Sequence, residues 1–89
     1  MAIILVTYDL NKPGQNYQKV YDYLESFTYC KDMDSVYLLD TSTSPKDIRN
    51  HLKGIVDGND TLFVVKITKT WAAHNYSCGD WLNKSERNW

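Results

Sequence analysis

The chain opens on an apolar run, Ile3-Ile4-Leu5-Val6, that continues through Thr7 and Tyr8 to a carboxylate, Asp9. Length and β-branched content predict a buried strand, ended by the polar loop that contains Pro13-Gly14. Asp9 then stands at the carboxyl end of a strand, at the lip of a sheet. Residues 15–27 come next. Tyr17, Val20, Tyr21, Leu24 and Phe27 recur there at helical spacing as one apolar stripe, and Asn16 is the better N-cap. Residues 28–31 are short and β-prone, residues 32–35 read as a tight connection, and residues 36–41 as a clear strand. Ser44-Pro45-Lys46-Asp47 is a strong helix start. Ser44 caps, Pro45 fits the first helical position, and Asp47 completes a capping-box-like pattern. Ile48, Leu52, Ile55 and Val56 form the buried stripe of this second helix. Residues 57–60 end it, with Gly58 suited to a left-handed position. Residues 61–68 are a final strand.

The order is β-α-β-β-α-β, the split βαβ or ferredoxin-like plan. It is an α+β fold with an antiparallel four-stranded sheet and both helices on one face. Residues 1–68 form this domain, and residues 69–89 are an aromatic C-terminal tail with no clean period. Trp71-Ala72-Ala73 and Trp81-Leu82 are the tail's apolar anchors, and residues 84–89 read as frayed. The first strand carries apolar residues on both faces, as does the last, so the face without helices needs a cover too. The tail can supply it within the chain. A second copy, packing sheet on sheet, is the expected cover.

Length changes the picture by limiting it. Eighty-nine residues make one small domain. The formal net charge of −1 argues against a whole-surface grip on long nucleic acid, but leaves room for a local basic patch or a small phosphorylated ligand. Cys30 and Cys78 fit no C-x-x-C spacing. With no signal-like segment they read as two free thiols in a reducing compartment, a cytoplasmic location, rather than one bridge. No apolar run is long enough to span a membrane.

Tyr8-Asp9, the following Leu10-Asn11-Lys12-Pro13-Gly14-Gln15, then Ser35-Val36-Tyr37-Leu38-Leu39 and Asn59-Asp60-Thr61-Leu62-Phe63-Val64-Val65 resemble the SinR-like branch of the small CRISPR-associated nucleases, the second CRISPR-associated protein and its relatives. The resemblance spans about residues 2–68. It implies a ferredoxin-like homodimer. It also implies that an aspartate at the end of the first strand of each protomer helps to hold a divalent metal that promotes phosphodiester hydrolysis. Asp9 is the residue that matches. The arginine-rich surface usual in the family is thin here, since Arg49 and Arg87 are the only arginines.

Asp9, with its symmetry mate, is thus the candidate catalytic and metal-binding residue for Mg²⁺ or Mn²⁺, which take oxygen ligands. Its plainer reading is a strand-ending residue tied to the loop at residues 11–14. Lys12, with backbone amides around Gly14, is a candidate phosphate contact, and Asn11 lies in the same loop. Tyr8 and Tyr37, on neighbouring strands, stack bases if exposed and fill the core if buried. Core is the stronger expectation. His51 reads as a surface residue. His74 and Cys78 are too few for structural zinc. Trp71, His74 and Tyr76 together offer stacking and hydrogen bonds to a ligand. The commoner outcome for such a tail is to tuck against the sheet. The leading expectation is a metal-dependent phosphodiesterase acting on a nucleotide or short nucleic acid. The alternatives are a non-catalytic homodimer that sequesters a small nucleotide, cyclic ones included, and a structural protein-binding dimer.

Overall fold

The computed structural model describes residues 1–11 and 17–89. In chain order its elements are β1 (Ala2–Asp9), α1 (Gln18–Leu24), β2 (Thr28–Cys30), β3 (Val36–Thr41), α2 (Pro45–Lys53), β4 (Thr61–Lys66) and α3 (Cys78–Leu82). The sheet runs β2-β3-β1-β4 and every pairing is antiparallel. This is the expected ferredoxin-like arrangement. β1 lies inside the sheet, with Leu5 opposite Leu38 on one side and Val65 on the other.

Strand alternation sorts the side chains onto two faces. On the first, Ile4, Val6 and Tyr8 of β1 join Tyr37 and Leu39 of β3. Val20 and Leu24 of α1 and Ile48 and Leu52 of α2 close over them. Both helices therefore cover this one face. Tyr17, Tyr21 and Phe27 of the first helical stripe are partly buried at its margin. α1 starts at Gln18, and Tyr17 occupies its N-cap position without a side-chain cap bond. The expected Asn16 cap, the Pro13-Gly14 turn and Lys12 lie outside the described residues.

α2 begins as its sequence demands. Ser44 Oγ accepts the Asp47 N–H at 3.1 Å and Pro45 takes the first turn. The helix stops sooner than its apolar stripe, at Lys53, with Gly54 right-handed at φ −75°. Ile55 and Val56 lie past its end and still pack on the core. Gly58 is not left-handed. Side chains close the turn instead: Asp60 Oδ2 accepts the Asp57 N–H at 2.8 Å and Asp57 Oδ2 accepts the Asn59 N–H at 3.1 Å. Those carboxylates satisfy amides that a left-handed glycine would otherwise have helped to satisfy.

The second face is covered from within the chain, and only in part. Ile3 and Leu38 are buried beneath Cys78 and Leu82, with Trp71, Tyr76, Trp81 and Trp89 packed around them. Two of the ties that hold the tail there correct an expectation. Cys30 and Cys78 are not free thiols: they form a disulfide between β2 and α3, with Cα atoms 5.9 Å apart. The 48-residue separation hid the pairing, but Cys30 alternates onto the second face, where α3 lands. The chain end is not frayed either. Arg87 Nη1 donates to Asp40 Oδ2 at 2.6 Å with both side chains at or below 10% exposure, and its guanidinium stacks on Trp81 at 4.4 Å. Trp89 Nε1 donates to the Leu82 carbonyl at 3.3 Å.

The far end of this face stays open. Phe63, opposite Thr7 on β1, is 60% exposed, and Asp9 beyond it is exposed as well. The homodimer expected as a cover has only this end left to cover.

Both ties predict stability effects. A bridge closing a loop of 48 residues restricts the unfolded chain by an amount worth about 4 kcal/mol in the loop-closure picture. The pair Cys30→Ser/Cys78→Ser is expected to lose about 2–4 kcal/mol, read from urea unfolding under oxidising conditions. Arg87→Met strands the Asp40 carboxylate in a buried site and is expected to cost about 3–5 kcal/mol. Asp40→Leu/Arg87→Met removes both charges and should recover most of that loss. A double variant as unstable as the single one would show that the charge pair is not what holds the tail.

Candidate functional site

Asp9 ends β1 with Thr61 as its cross-strand neighbour. By alternation it shares the second face with Leu5 and Thr7. Its backbone carbonyl accepts Asn11 Nδ2 at 3.3 Å. Asn11 is exposed and ties the chain just past β1 to the turn before β4. Its Nδ2 also donates to the Asn59 carbonyl at 3.1 Å, and its N–H donates to Asp60 Oδ1 at 2.7 Å. Tyr17 donates to the same Asp60 oxygen at 2.9 Å. Asp60 is thus a structural clasp, and Asn11 takes part in it.

Among the described residues no group of three or more His, Cys, Asp or Glu is placed to hold a metal ion. The described residues of this chain therefore do not by themselves build a three-ligand site at Asp9. The Asp9 carboxylate is a donor of the right kind for Mg²⁺ or Mn²⁺, hard cations that select oxygen.

Trp71, His74 and Tyr76 do come together. They line a cavity of about 450 Å³ where the tail's cover of the second face gives out, with Leu5, Val36 and Leu38 as its floor. A volume of this size is in the range of small-ligand sites, about 300–1,000 Å³. Asn75, left-handed at φ 55°, turns the chain between His74 and Tyr76. Asp32 also lines the cavity, and its Oδ2 accepts the Ser77 N–H at 3.1 Å. Burial, and then the Asp32 charge, raise the Tyr76 pKa, so its phenol keeps its proton. Sequence reasoning had placed Asp32 only in a connection between strands. The bond that brings it to the tail spans 45 residues and leaves no local pattern.

Tyr8 is not part of this group. It lies on the helix-covered face, buried, and its hydroxyl donates to the Asp34 carbonyl at 3.2 Å. Tyr37 is buried beside it and donates to Glu25 Oε2 at 2.6 Å. These tyrosines are core residues with polar tips, as the core reading expected. Burial first, and then the Tyr21, Asp34 and Glu25 charges, push the Tyr8 phenol up to about 12. Burial and the Glu25 hydrogen bond raise Tyr37 as well. His51 is exposed, and its ring stacks on Tyr23 at 3.8 Å, a contact its position off the apolar stripe did not reveal. Cys78 is buried in the disulfide, which leaves His74 without a thiol partner.

The model of one protein family, described as "CRISPR associated protein Cas2", matches residues 1–74. The match takes in the whole sheet, Asp9, and the tail as far as His74. It does not separate one branch of that family from another. No solved structure matches the chain.

The tyrosine pair sets an alkaline limit. The unfolded chain releases the Tyr8 proton near pH 10, whereas the folded chain holds it to about 12. Stability from this group is therefore complete below about pH 10 and falls as pH rises toward 12. Urea midpoints measured across that range should decline. Tyr8→Phe should flatten the decline while costing about 1 kcal/mol at neutral pH for its lost hydrogen bond.

Proposed function

The chain belongs to the CRISPR-associated Cas2 family, and from that premise we propose that it is a metal-dependent phosphodiesterase that acts as a homodimer. The observation that carries this reading is the placement of Asp9: an exposed carboxylate at the open end of a sheet face, two residues beyond Thr7, the cross-strand neighbour of the exposed Phe63. A second copy seated on that end by a two-fold axis covers Phe63 and Val36 and brings two Asp9 carboxylates toward each other. Those two carboxylates would hold Mg²⁺ or Mn²⁺, which when bound supplies charge neutralisation at the phosphate and an activated water. Each Asp9 keeps one end of the site anionic, and the Asn11–Asp60 clasp fixes Asn11, two residues on, to the turn before β4.

A second reading has its own support. The cavity lined by Trp71, His74 and Tyr76 lies on the same face, and a chain of net charge −1 suits a small nucleotide better than a long polymer. In this reading the dimer holds the nucleotide intact and Asp9 only ends a strand.

Incubation with short single-stranded RNA and DNA in Mn²⁺ separates the two. The nuclease reading predicts cleavage that stops with a chelator and falls about a hundredfold or more in Asp9→Asn, with the circular dichroism spectrum unchanged. Phe63→Glu should give a monomer by light scattering and lose cleavage with it. Intact nucleotide recovered from the denatured protein, with no product in any condition, would favour sequestration.

A further inference from the structure

The cavity beside the tail has walls of distinct chemistry. Its floor is aliphatic, from Leu5, Val36 and Leu38, and Trp71 and Tyr76 add aromatic surface. Asp32 is the charged group on its rim, and among the described residues that line it there is no lysine or arginine. The Ser77 amide takes one acceptor site of Asp32 Oδ2, and both carboxylate oxygens retain acceptor capacity. A phosphate inside this space would meet a carboxylate and no cation, so the cavity is unsuited to the charged part of a nucleotide. It suits a flat, uncharged group that stacks and presents hydrogen-bond donors.

We propose that this cavity is a nucleobase site selective for guanine, with the base stacked on Trp71 and its N1–H and N2–H donors turned to the Asp32 carboxylate. Guanine is the base whose pairing edge carries two adjacent donors. Adenine and cytosine each set a ring acceptor beside their single amino group, and uracil flanks its one N–H with two carbonyls. Each of those bases points an acceptor at the carboxylate, and two acceptors facing each other weaken binding. The raised pKa of Tyr76 agrees with this, because it keeps the phenol a donor at neutral pH, suited to a base carbonyl or ring nitrogen.

The placement of the cavity connects to the proposed chemistry, and this part of the inference rests on that reading. Leu5 on the cavity floor and Asp9 lie on the same face of β1, about 13 Å apart along the strand at ~3.3 Å per residue. A base held over Leu5 leaves its phosphates outside the cavity, directed along β1 toward the open end. The substrate class is then an unpaired, guanine-containing oligonucleotide, since a paired guanine has its N1–H and N2–H engaged.

Calorimetric titration of the full chain with the four nucleoside monophosphates and guanosine, in chelator, tests the site apart from any cleavage. The expected result is preferential binding of GMP. Guanosine should bind about equally well, because the phosphate is not held. Asp32→Asn keeps an acceptor for the Ser77 amide but sets an amino group against the guanine donors, and should weaken GMP about tenfold and erase the preference. Trp71→Ala should weaken every base by about tenfold. Asp32 is exposed, so its variant is informative even if Trp71→Ala unfolds. Binding without base preference, GMP binding untouched by Asp32→Asn, or no binding of any base overturns the inference. Mn²⁺-dependent cleavage with none of the guanine preference leaves the nuclease reading standing and removes this one. Guanine-selective binding without cleavage supports this inference and removes the nuclease reading.

Discussion

β1 is hydrogen-bonded on both sides and apolar on both faces, and that double demand shapes the rest of the molecule. A strand carrying Ile4 and Val6 on one face and Ile3 and Leu5 on the other cannot leave either face to water without losing about 1.5–3 kcal/mol for each large side chain uncovered. The helices meet the first demand by a regular route, with Val20, Leu24, Ile48 and Leu52 at helical spacing. The tail meets the second by an irregular one. A 21-residue segment (69–89) with a single short helix buries little per residue, and its order depends on fixed points. The disulfide to β2 and the Arg87–Asp40 pair are two of those points, one at each end of α3.

The tail covers only part of the second face. It buries the end of the second face around Ile3 and Leu38 and leaves the end around Thr7, Asp9 and Phe63 open. The cavity lies on the boundary between the two. Fold and function are linked at that boundary. The open end sets an exposed apolar side chain near a carboxylate, and the half-covered middle holds a half-open cavity with aromatic walls.

What could be read from the sequence follows the range over which each signal acts. β1, β3 and the start of α2 were legible because alternation, apolar runs and the Ser44–Pro45 cap act within a few residues. The end of α2 was not, because Ile55 and Val56 continue the apolar spacing after the backbone has left the helix. The Cys30–Cys78 bridge and the Asp32 contact with Ser77 each join residues more than 40 positions apart, and no local pattern encodes them. One long-range signal was present. Asp40 alternates onto the same strand face as Val36 and Leu38, and an acid on an apolar face calls for a buried cation. Arg87 is that cation. Of the candidate site residues, Trp71, His74 and Tyr76 share a cavity, Tyr8 lies across the sheet from them, and Asn11 takes part in the Asp60 clasp.

The central claim is that two copies meet at the open end of the second face with their Asp9 positions opposed. Cross-linking Asp9→Cys with a short bis-maleimide tests it directly, with the native disulfide left oxidised and Lys53→Cys, on the helix-covered side, as the control. The account predicts a covalent dimer for Asp9→Cys at low protein concentration and none for Lys53→Cys. Equal cross-linking of the two, or none at position 9 in a protein that light scattering shows to be dimeric, would place the interface elsewhere and contradict the account.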